Sequence, residues 1–102
     1  MEQLNVESGE RVVVSTGSVL MSGVDSFRSF DRSLRSFSRG KYREVVVDFS
    51  ECMYIDSHAI ALIISASRRL RMTGAKLIIQ NANEEIAELL EAIQINRIIE
   101  LA

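Results

Sequence analysis

The 102-residue sequence contains no proline, one cysteine (Cys52), one histidine (His58) and 5 glycines. With no second cysteine an internal disulfide cannot form, and a reducing compartment fits. A lone histidine rules out a His-based metal cluster, and one distant cysteine does not supply one. No glycine-rich loop carries a lysine, which excludes nucleotide binding of the P-loop type, and the isolated glycines read as turns. No apolar run approaches the roughly 20 residues of a membrane helix. The opening Met1-Glu2-Gln3-Leu4-Asn5 lacks the basic start and apolar block of a signal peptide. These absences lead to the expectation of a cytoplasmic protein without metal, cofactor or membrane insertion. The formal net charge of -2 and pI near 5.4 argue against nucleic-acid binding by the whole domain.

What is present organises itself as one domain spanning residues 1–102, with no internal repeat and no room for a second unit. Three β-branched runs read as strands: Arg11-Val12-Val13-Val14, Val45-Val46-Val47 and Lys76-Leu77-Ile78-Ile79. The second and third are continuous rather than alternating, which predicts strands covered on both faces, as in a parallel sheet. A weaker strand around residues 3 to 7, followed by Ser8-Gly9, predicts an antiparallel opening hairpin.

Helical periods fall between the strands. Phe27, Phe30, Leu34 and Phe37 share one face of a first helix beginning at Asp25 or Ser26, with Arg28, Arg32, Arg35 and Arg39 on another. Those phenylalanines are expected in the core rather than on a base-stacking platform. A second helix runs from about Ser57 to Met72, directing Ile60, Ile63, Ser67 and Leu70 inward with Ala59, Leu62 and Ala66, and ends at Thr73-Gly74. A third follows Asn83, a good cap before Glu84 and Glu85, and is expected to bury Ile86, Leu89, Leu90 and Ile93. Ile98-Ile99 is read as an added edge strand. The fold class is α/β, a mixed sheet of four to five strands with helices packed against it.

Charge is uneven along this frame. Residues 28 to 43 carry Arg28, Arg32, Arg35, Arg39, Lys41 and Arg43, whereas residues 84 to 100 carry Glu84, Glu85, Glu88, Glu91 and Glu100 against Arg97. The arginine face of the first helix suits an acidic partner or anionic headgroups, although a solvated outer face diluted by Asp25 and Asp31 is the ordinary explanation.

The functional interest lies where Val47-Asp48-Phe49-Ser50 leaves a buried strand and Ile55-Asp56-Ser57 opens a helix. The positive end of the helix dipole tolerates a negative group there, which makes Ser57 a workable switch position; the plain alternative is that Ser57 is the N-cap. Asp56, Ser57 and His58 contain the residue types of a hydrolase triad, but neighbours at a helix start point in different directions and cannot form that relay. His58, Ala61, Ser65, Arg68 and Met72 form a helical stripe opposite the apolar one. Beside Ser57, that stripe is a candidate docking face.

The order and spacing of these segments resemble the STAS family of anti-sigma-factor antagonists over most of the chain. The pattern of an apolar strand ending in Asp48, then Ile55-Asp56-Ser57, an apolar helix, and Thr73-Gly74-Ala75-Lys76-Leu77 is similar to the family core. Leu89-Leu90-Glu91 and Asn96-Arg97-Ile98-Ile99-Glu100 look like its last segment. The resemblance implies a non-enzymatic, bacterial, protein-binding regulator in which Ser57 is phosphorylated by a kinase that is also an anti-sigma factor. Asp56, Ser57, His58, Ala61, Ser65 and Arg68 are the expected partner-binding residues, and a phosphatase would reverse the state. Most phosphorylated members carry Ser/Thr and then Gly after the acceptor; here His58 and Ala59 stand instead, and Gln94 replaces a frequent Gly. That departure keeps a second function open: a STAS-like accessory subunit, not phosphorylated, that binds the ATPase of a phospholipid ABC transporter.

Overall fold

Parallel strands covered on both faces need apolar side chains at every position, and two segments meet that demand. In a computed structural model that describes residues 5–8, 11–16, 19–20, 24–37 and 42–102, β1 (Asn5–Ser8), β2 (Arg11–Ser15), β4 (Glu44–Asp48), β6 (Lys76–Gln80) and β7 (Glu100–Leu101) form one sheet in the order β1-β2-β4-β6-β7. β1 runs antiparallel to β2, pairing Ser8 with Arg11; the remaining neighbours are parallel, with Arg11 opposite Glu44 and Glu44 opposite Lys76. The mixed sheet with an antiparallel opening is the predicted one. Val45, Val47, Leu77 and Ile79 join the core under the helices, and Val46 and Ile78, which alternate to the opposite face, are buried as well. A separate short parallel pair, β3 (Val19–Leu20) with β5 (Tyr54–Ile55), was not foreseen, because two residues are too few to show a period.

The helices α1 (Val24–Phe37), α2 (Ser57–Met72) and α3 (Glu84–Ala92) occupy the predicted intervals. On α1 the inward face holds Phe30, Leu34 and Phe37, all buried, while Arg28, Arg32 and Arg35 are exposed. Arg35 pairs with Asp31 at 3.0 Å, one turn away, which lowers the net charge of that face. Phe37 meets Tyr42 edge to face with ring centroids 5.6 Å apart. The side chains of Phe27 and Arg39, and the residues Gln3, Gly9 and Lys41, lie outside the described residues.

Helix α2 packs on both α1 and β6 and buries Ala59, Leu62, Ile63, Ala66, Ser67 and Leu70, with Ile60 only half-buried. It closes as the sequence predicts. Gly74 takes φ +81°, its N–H donates to Arg71 O (3.1 Å), and Ala75 N–H donates to Leu70 O (2.9 Å), the paired bonds of a Schellman cap.

Two expectations for the last third of the chain need correction. Leu89 and Ile93 are 41% and 45% exposed, not buried, because α3 ends at Ala92 and only Ile86 and Leu90, one turn apart, face the core. The chain then turns through a 3₁₀ segment, Ile95–Arg97, which buries Ile95 and brings Ile99 inward. The added strand is therefore Glu100–Leu101 rather than Ile98-Ile99.

Gln94, at the exit of α3, holds a left-handed backbone with φ 63°. An L-residue pays about 1–2 kcal/mol there, while glycine pays nothing in the fold but loses more freedom on folding. Gln94→Gly should therefore raise stability by about 0.5–1 kcal/mol. The check is the urea midpoint at unchanged m-value; a lower midpoint would show that the exposed hydrogen bond Arg97 Nη1 donates to Gln94 Oε1 (3.1 Å) outweighs the backbone gain.

At the start of the parallel strands a charge ladder crosses the sheet: Arg11 to Glu44 (3.8 Å), Glu44 to Lys76 (3.7 Å) and Lys76 to Glu100 (3.1 Å). The hydrogen bond to Glu100, then its charge, hold the Lys76 ammonium above its ordinary pKa of 10.5. A raised cation pKa favours the fold at all pH values below the unfolded pKa, and that favour fades only as pH climbs through the folded one. Exposed pairs of this kind contribute little, and they serve here to fix alignment at the strand ends.

Candidate functional site

The site is built where the parallel strands end. Asp48, the last residue of β4, accepts from Ser50 N–H (3.0 Å) and Asn81 Nδ2 (3.1 Å) through Oδ1 and from Ser50 Oγ (3.1 Å) through Oδ2. Asn81 sits at φ 61°, a conformation that asparagine tolerates better than most residues. Buried Phe49 pins the turn beneath, its N–H donating to Gln80 O (2.9 Å). The chain continues through Cys52, buried, whose Sγ donates to Tyr54 O (3.4 Å). Asn83 then ties the turn to α3: its Nδ2 donates to Cys52 O (3.3 Å), and its Oδ1 accepts from Ile86 N–H (2.8 Å) as the helix cap. Asp48, whose carboxylate organises this turn, was legible only as the end of a strand.

The N-cap of α2 is Asp56, not Ser57. With an extended backbone (φ -104°, ψ 176°), Asp56 accepts from Ala59 N–H through Oδ1 at 2.9 Å, and its carbonyl accepts from Ile60 N–H at 3.1 Å. Such a cap contributes about 1 kcal/mol. Ser57 is the first helical residue and is exposed, and its hydroxyl has no hydrogen-bond partner among the described residues. The plain alternative of Ser57 as a capping residue is thereby removed, since the oxygen that performs that duty belongs to its neighbour. No acidic residue lies within the first turn of α2, and the Asp56 carboxylate sits at its positive dipole end.

The helix start also bears on His58 and Ala59. Ala59 is fully buried and helical, and no residue from 56 to 60 has a positive φ. Nothing in the backbone at that position calls for glycine. His58, Ala61, Ser65, Arg68 and Met72 are all exposed on α2, Met72 at 88%. Ser65 Oγ accepts from Arg69 Nη1 (2.9 Å), and Arg71 Nη2 reaches Ile98 O (3.4 Å). The predicted stripe is thus exposed along the length of α2, with His58 and Ala61 near Ser57 and Arg68 and Met72 toward its far end.

A feature the sequence did not reveal involves the segment that leads into α2. Met53 (72% exposed), Tyr54 (55%) and Leu89 (41%) stand at an open groove of about 270 Å³, completed by Ile55, Ile86 and Glu85. Met53 lies in the connection after Cys52 and Tyr54 in the two-residue β5, stretches too short for hydrophobic periodicity to carry information. Among the described residues there is no helix long and apolar enough to cross a membrane, and no cluster of three metal-ligating side chains.

A family model for the STAS domain matches residues 5–102. The chain belongs to the STAS family. This STAS domain is similar in fold to three solved structures. The anti-sigma factor antagonist SpoIIAA in its unphosphorylated form superimposes with a TM-score of 0.77 at 13% identity, covering 99% of this chain and 87% of that one. The Bacillus cell fate determinant SpoIIAA in its phosphorylated form gives 0.77 at 14% identity, covering 99% and 91%. A putative anti-sigma factor antagonist from Thermotoga maritima gives 0.82 at 15% identity, covering 97% and 84%. No curated protein sequence matches the domain significantly. At such identities the likeness is one of fold, and the α/β sheet with three helices is the STAS arrangement.

Proposed function

We propose that this STAS domain is a non-enzymatic, cytoplasmic anti-sigma-factor antagonist of a bacterium, controlled by phosphorylation of Ser57. The observation that carries the reading is the exposed hydroxyl of Ser57 in the first turn of α2, beside a cap already supplied by Asp56. A kinase anti-sigma factor transfers the γ-phosphoryl group of ATP to Ser57 Oγ, which loses its proton as ADP departs. A phosphatase returns the hydroxyl by hydrolysis, releasing inorganic phosphate. Unphosphorylated, the domain binds the anti-sigma factor through Asp56, Ser57, His58, Ala61, Ser65 and Arg68 and so frees the sigma factor. The phosphoserine adds about 1.5 to 2 negative charges next to Asp56, on a surface that must lose water when covered, and the complex separates. The domain itself survives the modification because the positive end of α2 favours an anion. The fold is shared with a protein solved in both unphosphorylated and phosphorylated forms, which supports the same chemistry here.

The test is to incubate the purified domain with candidate kinase anti-sigma factors and ATP and record its intact mass. A gain of one phosphate that disappears in Ser57→Ala is the expected result. A gain that persists in Ser57→Ala would move the site elsewhere. No gain with kinases active on their own substrates would remove the switch and favour the transporter-ATPase accessory role.

A further inference from the structure

We infer that the groove between β5 and α3 is a second contact surface of the domain, which takes an apolar side chain from a partner segment flanked by lysine or arginine. The inference deepens the partner-binding reading above and rests on it for the premise that another protein covers this end of the sheet. Met53, Tyr54 and Leu89 are large, apolar and exposed side by side. Contiguous apolar surface of this kind marks interaction sites, and methionine and tyrosine are common in them. The walls are held in place before any ligand arrives, since Asn83 caps α3 with one atom of its amide and binds the Cys52 carbonyl with the other. A groove fixed in advance binds with less loss of freedom.

Charge selects the occupant. Helix α3 carries Glu84, Glu85, Glu88 and Glu91 with no basic residue, and Glu85 itself lines the groove. Glu85 at the edge of an apolar groove, on a helix whose charged residues are all acidic, attracts a basic apolar segment and repels an acidic one. A second copy of this chain meeting the groove with its own groove would bring Glu85 against Glu85 and be repelled. Continuity with the switch is direct, because β5 forms one wall and leads through Asp56 into Ser57. The groove and Ser57 are thus joined by the single residue Asp56 between β5 and α2.

The experiment titrates the isotope-labelled chain with a synthetic amphipathic peptide, leucines on one face and lysines on its flanks, and with a counterpart carrying glutamates for the lysines. The lysine peptide should shift the resonances of Met53, Tyr54 and Leu89 and bind at least roughly tenfold more tightly than its counterpart. Leu89→Ser, an exposed change that keeps the thermal midpoint, should weaken it by roughly tenfold. Equal affinity for the two peptides, shifts centred elsewhere, or self-association that Leu89→Ser abolishes would overturn the inference. The intact-mass assay on Ser57 reads the other claim separately. Peptide selectivity without phosphorylation leaves the groove standing and removes the switch, and phosphorylation without selectivity does the reverse.

Discussion

Ser57→Asp should weaken binding to the kinase anti-sigma factor by roughly 30- to 1000-fold, the equivalent of about 2–4 kcal/mol for an unpaired charge forced out of water at a protein contact. Ser57→Ala should stay within about threefold of the wild type, because the hydroxyl has no partner among the described residues to lose. The contrast between the two is informative because stability moves the other way. An acid in the first turn of a helix whose first turn has none should raise stability by about 0.3–1 kcal/mol. The thermal midpoint of Ser57→Asp should thus be equal to or above that of the wild type while affinity collapses. Titration calorimetry and thermal denaturation on the same preparations separate the two effects. Affinity of Ser57→Asp within threefold of the wild type would falsify the switch.

Leu70→Ala should cost about 2–5 kcal/mol, a large fraction of the roughly 5–15 kcal/mol that holds a small domain together. Leu70 has no exposed surface, lies two residues before the end of α2, and supplies the carbonyl that Ala75 N–H caps. Truncation leaves a cavity at the last turn against the sheet, where the backbone is fixed by that cap and cannot close in. Met72→Ala, two residues away at 88% exposure, should change stability by no more than about 0.5 kcal/mol. Urea unfolding at constant m-value gives both numbers. A loss below about 1 kcal/mol for Leu70→Ala would mean that α2 is not seated as described, and the outer face bearing Ser57 would lose its support.

The elements that define this face were readable because several local signals agree there. The apolar period from Ala59 to Leu70 and the stop at Thr73-Gly74 give α2 from about Ser57 to Met72, and the helix is found there. The valine run of β4 and the Leu-Ile-Ile run of β6 gave parallel strands for the same reason: only a residue buried on either face needs to be apolar at every position. Signals failed where they were short or where two structures could use the same residues. Ile93 extends the apolar period of α3, yet it becomes the cap because Gln94 turns left-handed and the chain leaves the helix. Ile98 and Ile99 read equally as strand or tail, and the 3₁₀ turn before them set the pairing two residues later.

From its order of residues alone, the chain determined an α/β domain with a serine at the start of its middle helix, since propensity and periodicity are properties of neighbours in sequence, while the STAS type was legible only as a resemblance in the order and spacing of its motifs. Only the tertiary structure decided that Asp56 takes the cap and leaves Ser57 exposed, and that Met53, Tyr54 and Leu89 meet at one groove. The first turns on which of two neighbouring oxygens reaches Ala59 N–H and the second on segments far apart in sequence meeting in the fold, and a linear pattern records polarity but not the partner that satisfies it.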